Sequence, residues 1–334
     1  MSLKQWIPKL AGQRILVVGD VILDEYVTGQ ATRMSREAPI PVLEFESRRL
    51  IPGGAANPAA NIVSLGSYAL QYGIIGSDPA ATQLRQLLQG HGIETQALVT
   101  DPTRPTTVKM RIMAQMGLRF PQQIARMDTL SREPISASIQ GQIKARIAEQ
   151  IDSVDAVLIS DYHGGLLTEA LVNDLREIGV DKFISADAQG ELDKYAGLSV
   201  VKCNTDDARA YLGCSLETDA DFGEAAQQLC QQLNLTGAMV ITRGPKGATI
   251  ATAEGNVHHC PAPAVTDVYD VVGAGDTAIA VLTLALAAGA PAPDATTLAN
   301  YASSLVVRRF GNYAPTPAEL TWALETWAED SGSI

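Results

Sequence analysis

Positive charge is in short supply in this chain. Twenty-five Lys and Arg stand against 37 Asp and Glu, a net charge of −12 over 334 residues. That balance excludes a nucleic-acid partner, because gripping a phosphate backbone takes clustered Lys and Arg. It does not exclude a small phosphate ligand, which needs only a few local donors. Cysteine is equally sparse: Cys203, Cys214, Cys230 and Cys260 form no Cys-x-x-Cys pair. A chain of this size and composition is not expected to rest on disulfides, and buried thiols in a reducing cytosol are the natural reading. His258 and His259 adjoin Cys260, but neighbours on a strand face opposite ways, which argues against a shared metal. Long apolar runs are missing too. The most apolar stretch, 278–290, is too short for a bilayer and reads as a buried helix. The opening MSLKQWIPKLAGQ has no apolar core of signal-peptide length. A soluble, cytoplasmic protein with no membrane partner is expected. The Gly-x-x-x-x-Gly-Lys-Ser/Thr signature of P-loop enzymes is absent, and the stretch from Gly73 to Gly76 lacks the Gly-x-Gly-x-x-Gly of dinucleotide folds.

What is present is core-forming sequence, 46% hydrophobic and 19% charged. Compact apolar runs at 14–18, 69–75, 156–159, 182–186, 199–201 and 238–242 read as buried strands. Helical patterns around 84–88, 143–151, 171–178 and 225–233 fall between them. This alternation predicts an α/β fold with a mostly parallel central sheet covered by helices on both faces. Ligands of such sheets bind beyond the carboxyl ends of the strands. Asp20, Asp161, Asp187 and Asn204 all follow predicted strands, so they form a candidate rim. Segments 39–45, 107–112 and 125–128 read as strands without partner helices. They predict a small β flap, or else extra edge strands of the main sheet.

Two glycine-rich motifs carry the chemistry. In Pro52-Gly53-Gly54-Ala55-Ala56-Asn57, paired glycines before a helix would let a ligand approach the backbone, with the Asn57 amide beside it. The same pattern also suits an ordinary turn. In Asp270-Val271-Val272-Gly273-Ala274-Gly275-Asp276-Thr277, the glycines lead directly into the apolar helix expected from Ala278. Free N–H groups at a helix N-terminus, with the helix dipole behind them, make an anion site. Asp276 among those donors is either a helix cap or a base. A carboxylate beside an anion hole suits deprotonating a hydroxyl while the hole holds a migrating phosphoryl group.

These motifs, with Val18-Gly19-Asp20, resemble in order and spacing those of the ribokinase-type carbohydrate kinase family. The resemblance runs from about Arg14 to about Glu319. Within the family the pattern is most similar to bacterial heptose 7-phosphate kinases, through residues 32–42, 52–66, 160–162 and 268–271. The resemblance implies one kinase unit over 10–328, with lid strands within 36–50 and 105–128. It implies ATP-dependent phosphorylation of a sugar or sugar-phosphate hydroxyl, with Asp276 as base and Gly273, Ala274 and Gly275 as anion hole. Asp20, Gly53, Gly54 and Asn57 would bind the sugar beside Asp161 on the rim. Asn204 would order Mg²⁺ near the phosphates, with Asp207 where the family has Glu. Thr242, Arg243 and Gly244 would line the nucleotide side, and Asn300 would stand near the adenine. Asp270 would hold an alkali cation in members that need K⁺, and the lid would make a homodimer contact.

Two rim lysines of the nearest relatives are replaced here, by Gly164 or Gly165 and by Gln189. An acceptor other than heptose 7-phosphate is therefore expected to be preferred. A nucleoside kinase of the same fold, or an inactive protein that retains it, are the rival readings.

Overall fold

The computed structural model describes residues 3–117, 120–265 and 267–330; Leu118 and Arg119, inside the predicted lid segment 105–128, lie outside the described residues. A 3-10 segment, Leu3–Leu10, leads into β1 (Arg14–Gly19), β2 (Val21–Met34) and β3 (Pro41–Gly54). Then follow α1 (Ala56–Ser64), β4 (Tyr68–Ile75), α2 (Pro79–Gly90), β5 (Leu98–Thr100), β6 (Val108–Gln115), β7 (Gln122–Thr129) and α3 (Ala137–Gln150). The alternating half comprises β8 (Ala156–Ser160), α4 (Glu169–Ile178), β9 (Phe183–Asp187), β10 (Val200–Asn204), α5 (Thr205–Leu212), α6 (Asp219–Gln232) and β11 (Ala238–Thr242). The chain closes with β12 (Ala248–Thr252), β13 (Val257–Cys260), α7 (Ala274–Ala287), α8 (Ala292–Val306) and α9 (Pro317–Asp330).

Nine strands form the main sheet in the order β13-β12-β11-β10-β9-β8-β1-β4-β5. It is parallel from β5 to β11 and antiparallel only at the β12 and β13 edge. The period-2 alternation of a strand explains why β1 is apolar throughout. Ile15 and Val17 join the core that contains α1, α7 and α8, while Leu16 and Val18 join the opposite core with α3 and α4. The central α/β architecture expected from the sequence is therefore present.

The other strands form a separate four-stranded sheet, β3-β2-β6-β7, antiparallel except for the β2–β6 pair. This is the predicted flap rather than an extension of the main sheet. One of its two longest members, β2, is missing from the sequence reading, because Asp24 and Glu25 interrupt its apolar run. Both acids are buried and paired across the sheet, Asp24 with Arg111 at 2.6 Å and Glu25 with Arg48 at 2.5 Å. Of the cysteines, three are buried and Cys214 is exposed, so the expectation of buried thiols fails at that one. Among the described residues, no helix is long and apolar enough to cross a membrane.

Candidate active site

The parallel strands end on one rim. The register pairs Gly19 with Ser160, Ser160 with Asp187, Lys202 with Asp187, and Asn204 with Thr242. The polar residues at or just past these ends, Asp20, Asp161, Asp187 and Asn204, therefore share one side of the sheet, as the sequence suggests.

Helix α7 starts earlier than expected, at Ala274 rather than Ala278. Gly273 is the residue that permits this. It sits in the left-handed region at φ 82°, and a Cβ there would come within 2.7 Å of Asn57 Nδ2 and 2.8 Å of Asn312 Oδ1. Asp276 consequently lies inside the first helical turn instead of capping it. Its side chain caps no backbone N–H. It accepts from Asn57 Nδ2 at 2.8 Å and from the Tyr162 hydroxyl at 2.5 Å. The N–H groups of Gly275 and Asp276 have no backbone acceptor outside the helix among the described residues, and a first helical turn offers none inside. An anionic group fits in front of them.

Asp276 is 5% exposed. Burial pushes its carboxyl up to about 7; the Tyr162 and Asn57 hydrogen bonds and Lys202 pull it down, while Asp187 adds to the rise. Asn57 is placed by the first glycine motif. Gly54 ends β3 at φ 55°, where a Cβ would meet the Asp20 carbonyl at 2.3 Å, and α1 begins two residues later. Gly53 packs on Asp24, with 2.4 Å from a Cβ position to Oδ2. Asn61, one turn on in α1, donates to the Asn57 carbonyl and accepts from Thr277 on α7, locking the two helices together.

Other predicted residues are more occupied. Asp20 Oδ2 accepts from the N–H groups of Tyr162 and Gly164, each at 2.9 Å, and burial pushes its carboxyl up. A Cβ on Gly164 would stand 2.5 Å from Asp20 Oδ1, so the glycine is what lets this turn close on the acid. Burial also pushes Asp161 up, but Lys194 at 2.6 Å and Tyr195 at 2.5 Å outweigh it and hold it below the usual carboxylate range. Both of its oxygens are engaged, since Oδ1 accepts from His163 N.

On the nucleotide side, Asn204 caps α5 by accepting from Asp207 N at 2.9 Å. Among the described residues Asp207 Oδ2 is buried without a hydrogen-bond partner, and burial pushes this carboxyl up. Thr242 donates to the Cys203 carbonyl, and Gly244 turns the chain at φ 57°. The Arg243 side chain is turned to packing. Its guanidinium stacks 4.2 Å from the Phe222 ring centre and pairs with Asp219 at 2.5 Å. The Asn300 amide is likewise spent on the Cys260 carbonyl, at 2.7 Å. Asp270 accepts from Val272 N and Gly311 N, each at 3.0 Å.

Two residues of the site escaped the sequence reading. Lys202 points from β10 to Asp187 Oδ1 at 2.6 Å, and its amino group lies 3.5 Å from the Cβ position of Gly275. In the sequence it is a lone charge inside an apolar strand. Tyr162 lies in the 160–162 stretch that carries part of the resemblance, but the sequence assigns it no role.

The sequence profile of the pfkB family carbohydrate kinases matches residues 13–319. The bifunctional protein HldE of Paramagnetospirillum magneticum is 36% identical over 97% of this chain, and that of Geobacter metallireducens 36% over 95%. The chain spans only 65% and 64% of the length of these two relatives. Escherichia coli phosphofructokinase-2 in complex with substrates and products superposes with a TM-score of 0.76 at 20% identity, covering 95% of this chain and 99% of that one. Arabidopsis thaliana ribokinase complexed with ribose and ATP gives 0.71 at 17% identity, covering 94% and 99%. The structural likenesses establish a ribokinase-like fold, and the profile match, which takes in both glycine motifs and the strand-end rim, establishes that the chain belongs to the pfkB family of carbohydrate kinases.

Proposed function

We propose that this chain transfers the γ-phosphoryl group of ATP to a hydroxyl of a sugar or sugar phosphate, with Asp276 as the base. One observation carries the reading: a buried carboxylate whose pKa is raised to about 7 stands in the first turn of α7, beside N–H groups that have no backbone acceptor outside the helix among the described residues. A base near neutrality removes a hydroxyl proton most effectively. The acceptor oxygen attacks the γ-phosphorus as its proton passes to Asp276. The bond to ADP breaks, and the N–H groups of Gly275 and Asp276, with Gly273 and Ala274 shaping the turn, hold the charge of the migrating group.

Asp20, Gly53, Gly54, Asn57 and Asp161 surround the acceptor in this reading. Asn204, Thr242, Gly244 and the backbone at Arg243 line the ATP side, with Asn300 behind the adenine. The orphaned Asp207 Oδ2 fits a role for Mg²⁺, which keeps most of its waters and would leave one for that oxygen. When bound, Mg²⁺ neutralises charge on the phosphate oxygens. Both oxygens of Asp270 are already engaged, so no orphaned acceptor argues for K⁺ there.

Residues 10–328 act as one kinase unit in this account, with the flap as lid. Phe45, Ile40, Met34 and Met127 are exposed on the lid sheet or its connecting turn, which suits a homodimer contact. The rim lacks lysines at Gly164 or Gly165 and at Gln189. A free or differently phosphorylated sugar is therefore expected to outperform heptose 7-phosphate. ADP release across heptose 7-phosphate, fructose 6-phosphate, free hexoses and pentoses, and nucleosides tests the reading. Sugar turnover supports it, nucleoside turnover alone overturns it, and a dominant rate on heptose 7-phosphate overturns the acceptor preference.

A further inference from the structure

Tyr162 sits two residues beyond the end of β8, in the turn that closes on Asp20. Its backbone N–H is bound by the Asp20 carboxylate at 2.9 Å, so the side chain is fixed at its root. Its hydroxyl donates to Asp276 Oδ1 at 2.5 Å, while Asn57 donates to Asp276 Oδ2 at 2.8 Å. Each oxygen of the carboxylate thus has its own donor, one from the β8 rim and one from α1. A carboxylate gripped at both ends loses the broad rotation that its terminal torsion otherwise has. Above the tyrosine ring lies the lid. The Lys109 amino group, carried on β6, stands 5.1 Å from the ring centre and makes no hydrogen bond or ion pair among the described residues.

We propose that Tyr162 is the positioning residue for Asp276, its phenol orienting the carboxylate and holding it in the charged, proton-accepting form. The inference rests on Asp276 being the base. A phenol is suited to this only while it stays protonated. Burial, with Asp276, Asp187 and Asp24 nearby, pushes Tyr162 well above the ordinary tyrosine range, so it remains a donor throughout the working range and never competes for the acceptor proton. A hydrogen bond to the charged form of an acid favours that form. The groups facing Asp276 pull in both directions. Burial raises its pKa and Asp187 on β9 adds to the rise; Tyr162, Asn57 and Lys202 on β10 oppose it. Without the phenol the balance tips towards the protonated acid, and a protonated base is idle.

Packing alone is the competing explanation, and Tyr162→Phe separates the two because it removes one oxygen and keeps the ring. The experiment uses the full chain with ¹³C-labelled aspartate carboxyls. The Asp276 signal is identified by its loss in Asp276→Asn, and its titration midpoint is compared in wild type and Tyr162→Phe. The midpoint is expected to be about 1 pH unit higher in the variant, the size of one hydrogen bond to a charged group; an unchanged midpoint overturns the proposal. Should the variant fold poorly, uniform 3-fluorotyrosine, a stronger donor, is expected to move the midpoint down, and no movement overturns the proposal equally.

With MgATP and heptose 7-phosphate as the kinetic probe, kcat of Tyr162→Phe at pH 7 is expected to fall ~5-fold and to recover towards pH 9, with KM for ATP little changed. A uniform loss at every pH points to packing and overturns the assignment. If Asp276→Asn turns over at the wild-type rate, the base reading itself fails, while the titration midpoints still decide whether Tyr162 controls the carboxylate.

Discussion

Asn57 and Asp276 lie 219 residues apart in the chain and share a hydrogen bond of 2.8 Å. The bond joins the two glycine-rich motifs. One sets the start of α1, the other the start of α7, and both helices pack against the same face of the sheet. Neither motif alone makes a site. Together they hold a buried acid beside the N–H groups of the first turn of α7, at the strand-end rim.

The two glycines of the second motif should respond differently to substitution. At Gly273, alanine meets a left-handed backbone at φ 82° and the amides of Asn57 and Asn312. Gly273→Ala is expected to lower stability by about 1–2 kcal/mol and to displace Asn57. At Gly275 the backbone is ordinary, and a Cβ meets Lys202 Nζ at 3.5 Å and Asp187 Oδ2 at 4.0 Å, both ordinary contacts. Gly275→Val is expected to fold normally and to lose turnover, because its side chain fills the anion position. Urea unfolding and ADP release measured together check both; normal kinetics in Gly275→Val would refute the anion hole.

Asp207 should report on the metal. Its Oδ2 is buried with no hydrogen-bond partner among the described residues, and the side chain is one methylene shorter than the family's Glu. Asp207→Ala is expected to raise the Mg²⁺ concentration for half-maximal activity by ~10-fold or more. A Mg²⁺ titration of ADP release reads this directly, and an unchanged requirement removes Asp207 from the metal's surroundings.

Lys202 and Asp187 are a buried pair, with side chains 5% and 9% exposed and 2.6 Å between charged atoms. Lys202→Met strands the acid and is expected to cost about 3–5 kcal/mol. Adding Asp187→Asn should recover much of that loss, because no unpaired charge then remains. Denaturant unfolding of the single and double variants checks it. Equal stability of the two would mean that the pair is not coupled.

The raised Asp276 pKa also makes a stability prediction. The folded value of about 7 exceeds the ordinary aspartate value of 3.8, so folding favours the protonated form. The corresponding stability is complete below the unfolded pKa and is lost as pH rises through about 7. Asp276→Asn carries no such charge. Its Tm relative to wild type is therefore expected to be higher at pH 8 than at pH 5, by about 3 °C or more. A Tm difference that does not vary with pH would show that Asp276 titrates normally.

Much of this site is legible in the sequence where backbone demands dictate residue type. Gly54 and Gly273 occupy left-handed positions, and Asp20, Asp187 and Asn204 stand where parallel strands must end. What cannot be read there depends on partners distant in sequence. Lys202 looks like a misplaced charge in an apolar strand until Asp187 is beside it. β2 goes unrecognised because its acids are neutralised by Arg48 and Arg111 from neighbouring strands. Tyr162 shows no role until α7 is packed against the rim. Resemblance also overstates side chains whose position is kept but whose atoms are spent on packing, as with Arg243 on Phe222 and Asn300 on the Cys260 carbonyl.

The central claim is that Asp276 takes the proton of the acceptor hydroxyl. The direct measurement is ADP release by wild type and Asp276→Asn on whichever sugar the wild type turns over fastest, with ATP affinity measured alongside by calorimetry. The account predicts kcat lower by ~10²-fold or more, with ATP affinity nearly intact. Turnover by Asp276→Asn at the wild-type rate would contradict it and reduce Asp276 to a structural acid in the first turn of α7.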